Sequence, residues 1–140
     1  MKILQVIFMA LLTVLAASAE SGDPIVNAKV PFAFEMAGKV LPAGEYEVTF
    51  SSQRSWTVVK EIDSKAAAVA TVFGISSKDI AADNVKLVFN KYGDRCFLSQ
   101  VWHPWMVREL PKSKQERELV TSRVIAQNPV RVVVAARVVR

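Results

Sequence analysis

The sequence predicts an all-β fold, an antiparallel β-sandwich or small, partly open barrel, with one C-terminal α-helix and an N-terminal signal-peptide helix. Three observations carry this. Apolar side chains alternate with polar ones over short runs, the period of a half-buried strand. Turn residues interrupt these runs at spacings of about 8–12 residues, as in sandwiches and barrels. A helix-start signature with a following apolar stripe occurs at Ser113-Lys114-Gln115-Glu116.

In chain order, Lys2 precedes an almost unbroken apolar run at 3–15, and Ala17-Ser18-Ala19 has the small-x-small pattern of a signal-peptidase site. A run of about 13 residues is too short to span a bilayer, which takes about 20. The expectation is a signal peptide over 1–19 and a mature chain from Glu20 with no further transmembrane span. No Cys adjoins the cut, which argues against a lipoprotein anchor.

Residues 20–111 read as the β-domain. Segment 26–35 sets Val30, Phe32 and Phe34 on one face, with Pro31 pointing to an edge or a strand start. Ala37-Gly38-Lys39 and Pro42-Ala43-Gly44 are turns. Segment 45–51 alternates cleanly, with Tyr46, Val48 and Phe50 facing one way and Glu45, Glu47 and Thr49 the other. Segment 56–62 is β-branched. Asp63-Ser64-Lys65 turns into 66–75, which is apolar on both faces; its Val, Thr and Phe content favours a strand over a short buried helix. Residues 76–84 read as a loop. Segments 85–92 and 96–102 flank Gly93-Asp94 as a hairpin, with Val85, Leu87 and Phe89 on one face and Leu98 and Trp102 sharing a face on the partner. Phe32, Phe34, Tyr46, Phe50, Phe73, Phe89 and Phe97 are the expected aromatic core.

His103-Pro104-Trp105-Met106 is a loop, and 107–110 a short strand. The Ser113 hydroxyl can cap the Glu116 N–H while the Glu116 carboxylate reaches back, opening a helix within 112–128 whose stripe is Leu119, Val120, Val124 and Ile125. Asn128-Pro129 stops it. The basic, Val/Arg-rich end at 129–140 reads equally as a last strand or as a free tail.

Charge is concentrated at that end. Residues 112–140 hold seven basic side chains against Glu116 and Glu118, whereas 20–111 hold ten against eleven acidic ones. In an exported protein this points away from nucleic acid and toward an anionic envelope component or an acidic protein partner; the plain alternative is a solvated, solubilising end. The single Cys96 excludes an internal disulfide. It reads as a buried strand thiol, with an intermolecular bridge or a reactive thiol as the other reading, so a dimer remains open.

Together, Val30-Pro31-Phe32-x-Phe34, Leu41-Pro42-Ala43-Gly44-x-Tyr46-x-Val48, Tyr92-Gly93-Asp94, Phe97-Leu98-Ser99-Gln100-Val101-Trp102 and Glu109-Leu110-Pro111-Lys112-Ser113 resemble a family of small, uncharacterised exported β-rich proteins from environmental bacteria. The resemblance spans roughly 28–119. It implies a secreted β-domain and brings no activity, cofactor or catalytic residue. The chain departs from the pattern at 103–107, where a smaller Gly-containing loop is expected, and in its Val/Arg end.

The inventory of reactive side chains is thin. One histidine and one cysteine exclude His-rich and Cys-rich metal sites. Cys96 and His103 sit at opposite ends of one expected strand, about 20 Å apart at roughly 3.3 Å per residue, too far to pair. No Ser lies in a G-x-S-x-G elbow, and no Gly-rich phosphate loop is present. The acidic pairs Glu45/Glu47, Glu61/Asp63 and Glu116/Glu118 read as outward-facing. The expected catalytic, metal and cofactor sets are therefore empty. A binding surface is expected at Trp102, His103, Trp105 and Arg108, where two indoles bracket a turn, although Trp102 also reads as a core anchor. The basic end adds Arg131, Arg137 and Arg140. The expectation is an exported, periplasmic or extracellular, non-enzymatic envelope protein acting as a binding or interaction module. A small apolar-ligand carrier with a pocket in the β-core is the first alternative, and a hydrolase-type enzyme using His103 the second.

Overall fold

The computed structural model describes residues 25–51, 55–75, 84–104, 106–122 and 128–139. The expected signal peptide, most of the 76–84 loop, Trp105, Val124, Ile125 and Arg140 lie outside them. The described residues form eleven strands and one helix, in chain order: β1 (Ile25–Val30), β2 (Phe34–Met36), β3 (Lys39–Leu41), β4 (Gly44–Ser51), β5 (Trp56–Glu61), β6 (Ala67–Thr71), β7 (Phe73–Ile75), β8 (Lys86–Tyr92), β9 (Arg95–His103), β10 (Met106–Glu109), α1 (Lys114–Thr121) and β11 (Val130–Val139). The fold is all-β with one helix, as the alternation predicts.

The strands form one nearly closed, barrel-like sheet in the order β3-β2-β9-β8-β11-β1-β4-β5-β6. Closure comes from a change of partner. β6 pairs with β5; after Val72 the same extended segment continues as β7 and pairs with β10, which pairs with β9. Among the described residues every pairing is antiparallel except one parallel step, Glu35 opposite Phe97 between β2 and β9. Two turns set their hairpins through positive φ. Ala37 (51°) and Gly38 (80°) make the two-residue β2–β3 loop, as a type I′ turn demands, and Gly93 (63°) opens the β8–β9 loop.

The interior is filled by alternate residues of each strand. Val26, Val30, Phe34, Tyr46, Val48, Val59, Leu87, Phe89 and Val101 are all buried within it. Phe34 lies edge to face with Tyr46 at 5.0 Å and Phe89 at 5.2 Å, and Phe32 meets Phe89 at 5.0 Å. Such ring pairs add about 0.5–1.5 kcal/mol each beyond area burial. The Tyr46 hydroxyl is not stranded in this apolar setting, because it donates to the Pro42 carbonyl. Cys96 is a buried strand thiol in this core.

The Val/Arg-rich end is a strand, not a free tail: β11 pairs with β8 on one side and β1 on the other. Val132, Val134, Ala136 and Val138 pack on the core, so Arg131, Val133, Ala135 and Arg137 face outward.

Three expectations are corrected. Phe73 is 61% exposed, because it stands opposite Glu109 on the outward face of the β7–β10 pair. Phe97 is buried outside the barrel interior, against Tyr92 at 5.8 Å. Leu98 and Trp102 do not share a face. In β8–β9, Val88 pairs with Gln100 but Phe89 with Leu98, so Ser99 is an extra residue, and this β-bulge inverts the alternation beyond it. Val101 and His103 consequently point inward and Trp102 outward.

The helix starts as predicted, with Ser113 as N-cap accepting from the Glu116 N–H at 3.2 Å. Glu116, expected on the helix surface and returning to the cap, is instead 3% exposed and accepts from Tyr92 Oη at 2.9 Å and Asn90 Nδ2 at 3.2 Å. Of the expected apolar stripe, Leu119 is half-buried and Val120 exposed.

Candidate functional site

Two places gather the predicted site residues, one at an end of the barrel and one on its outer wall. At the barrel end, β4, β9 and β10 contribute Phe50, His103 and Arg108. The parity of β10 after the turn matches that of β9: Arg108 pairs with Val101, a core residue, and therefore faces inward. His103 and Arg108 are each 7% exposed. The His103 ring stacks on Phe50 with centroids 4.3 Å apart and planes 28° from parallel. The Arg108 guanidinium carbon stands 5.5 Å from the same Phe50 ring, and Arg108 Nε donates to His103 Nε2 at 3.3 Å. Accepting that hydrogen bond uses the Nε2 lone pair, which a protonated imidazole lacks.

Trp102 is on the opposite side of the wall. It is half-buried on the outer face, its Nε1 donates to Gln100 Oε1 at 3.0 Å, and Lys86 Nζ sits 4.1 Å from its ring centroid. The structure thus brings His103 and Arg108 together and separates both from Trp102. Trp105 lies outside the described residues. Phe50, the ring that organises the cluster, was visible in sequence as an inward strand residue but carried no signal of contact with His103.

The outer wall is basic along β11. Arg131 and Arg137 are exposed, with Val133 (56% exposed) between them. The register sets Lys86 on β8 beside the outward Ala135, while Lys29 projects from β1 on the far side. Carboxylates flank this face on both sides: on β4 Glu45 pairs with Lys29 and Glu47 with Asn27, and over β8 the buried Glu116 accepts from Asn90, the register partner of Arg131. Arg140, the third basic residue expected here, is outside the described residues.

Other features are structural. Glu35 and Arg95 form a bidentate ion pair, Nη2 to Oε1 at 2.7 Å and Nε to Oε2 at 2.9 Å, tying β2 to the start of β9. A groove of about 290 Å³ opens between β2, β6 and the start of α1, lined in part by Met36, Val69, Leu110, Pro111 and Lys112. Burial pushes the Cys96 thiol pKa up, the opposite of nucleophile activation. Among the described residues no three His, Cys, Asp or Glu side chains converge as metal ligands, and no helix is long and apolar enough to cross a membrane.

Compared with known proteins, the chain matches no family model, no curated protein and no solved structure. Its functional reading therefore rests on geometry.

Proposed function

We propose that the protein is an exported, non-enzymatic cell-envelope protein, an interaction module that holds an anionic envelope surface against the outer face of β11. The observation that carries this reading is the placement of Arg131 and Arg137 with exposed Val133 on one outward face, joined by Lys86 and Lys29 from the neighbouring strands. Cations with interleaved apolar side chains suit an anionic headgroup layer, where each Lys or Arg near the surface contributes about 1 kcal/mol. The tight aromatic packing of Phe34, Tyr46 and Phe89 supports a module with a filled interior over a carrier of apolar ligands. Burial of Cys96 and the pairing of His103 with Arg108 give no support to a hydrolase.

The test is co-sedimentation of the mature chain with vesicles of phosphatidylglycerol or of phosphatidylcholine. Binding to the anionic vesicles alone, weakened by salt, is expected. Arg131→Glu with Arg137→Glu should lower it at least about tenfold, since reversing each charge removes more than one such contribution. Equal binding to both vesicle types, or an unchanged affinity of the double variant, would overturn the reading.

A further inference from the structure

A guanidinium does not lose its proton in a protein, so burying one calls for compensation. Arg108 is buried at the end of the barrel, yet among the described residues no carboxylate lies within ion-pairing distance of it. Its neighbour in sequence, Glu109, is on the other face of β10, opposite the outward Phe73. Among the described residues two groups meet the charge: the Phe50 ring, through its face, and the imidazole of His103, through one hydrogen bond from Arg108 Nε. The four N–H bonds on Nη1 and Nη2 have no acceptor among the described residues, and neither nitrogen is wholly sealed from solvent. The outer fork of the guanidinium is thus unengaged, while its inner edge is fixed by His103 and its plane is backed by an aromatic ring.

From this geometry we propose that Arg108, oriented by His103 and Phe50, is the receptor for the carboxylate group of a small organic acid at this end of the barrel. The fork presents two parallel N–H vectors that match a planar carboxylate, and bidentate charge-assisted bonds of this kind are the strong ones. Low exposure shields the pair from water and salt. The flanking rings favour an acid whose body is flat and apolar. This site is separate from the basic face of β11, so each can fail without the other.

The test uses benzoate as the probe, with chloride as the comparison at equal ionic strength, and reads the midpoint of thermal unfolding. Benzoate is expected to raise the midpoint saturably and chloride to leave it near its starting value. In Arg108→Gln the benzoate response should vanish; in Arg108→Lys, which keeps the charge but not the fork, the apparent affinity should fall about tenfold or more. Should Arg108→Gln not fold, the wild-type chain still decides the matter, because the Arg108 side-chain signals in arginine-selective 15N spectra must move with benzoate and not with chloride. An equal response to both anions, an undiminished response in Arg108→Gln, or unmoved Arg108 signals would each overturn the assignment.

Discussion

Inside the barrel, Phe34 meets Tyr46 and Phe89 edge to face, and among the described residues the buried charged side chains, Arg108 and Glu116, lie away from these rings. Beneath the helix, on the outer side of β8, Tyr92 and Asn90 both donate to one buried carboxylate, that of Glu116. Both regions are closed to water, but they are closed by different means. The first gains from the removal of apolar area and from close packing, which tolerates no loss of volume. The second depends on mutual satisfaction: each polar atom is inexpensive to bury only while its partner is present. The helix is therefore latched at one point, whereas the barrel is held throughout its interior.

The comparison breaks most visibly in the interior. Phe89→Ala removes the ring that Phe32 and Phe34 both pack against. It should cost about 3–5 kcal/mol, the range for deleting a buried Phe side chain. Urea unfolding followed by tryptophan fluorescence measures this directly. A loss below about 1 kcal/mol would mean that the interior relaxes around the gap, and the contrast with the latch would lose its basis.

The latch should respond more mildly and more selectively. Glu116→Ala leaves Tyr92 Oη and Asn90 Nδ2 without their acceptor, a loss of about 1–3 kcal/mol. Glu116→Gln keeps an acceptor oxygen and should recover part of that. Amide exchange sharpens the point: protection of α1 should drop in Glu116→Ala while that of β1 and β4 persists. If all three elements lose protection together, the helix is not a separately latched unit.

These two regions also differ in how far the sequence discloses them. The interior was legible because alternation is a local signal. Tyr46, Val48 and Phe50 announce their shared face within one strand, and all three are buried. Ser113 was legible for the same reason, since a cap and the N–H it accepts from lie three residues apart. Glu116 was not. Its partners are 24 and 26 residues away, and a Glu at the third helical position has a perfectly good local role in a capping box. The same limit explains Trp102. The extra residue at Ser99 that turns its side chain outward is set by cross-strand register with β8, and Ser99 itself has no mark of a bulge. Phe73 was misplaced because a run apolar on both faces gives no parity to read, and the switch of partner at Val72 is a matter of closure. Of the candidate site, the residue types were foreseeable; which of them share a side of the wall was not.

The smallest expected effect lies at alkaline pH and separates the two tyrosines that close these regions. Both phenols have a pKa pushed from near 10 up to about 12. Burial is the leading cause in each case. For Tyr46 the charge of Glu61 adds to it, and for Tyr92 the hydrogen bond to Glu116 and then its charge. A phenol whose pKa is raised on folding holds its proton more tightly in the folded chain than in the unfolded one. Its stabilising contribution is complete below about pH 10 and is lost as pH rises from there through about pH 12. Stability should therefore decline over that window. Tyr92→Phe should cost about 1 kcal/mol at neutral pH through the lost hydrogen bond, yet make the alkaline decline shallower, because the phenolate that Glu116 would repel no longer forms. Urea midpoints for both chains from about pH 8 to about pH 12 check this. Equal slopes would mean that Tyr46 alone sets the decline, and that the Glu116 latch gives way before Tyr92 titrates.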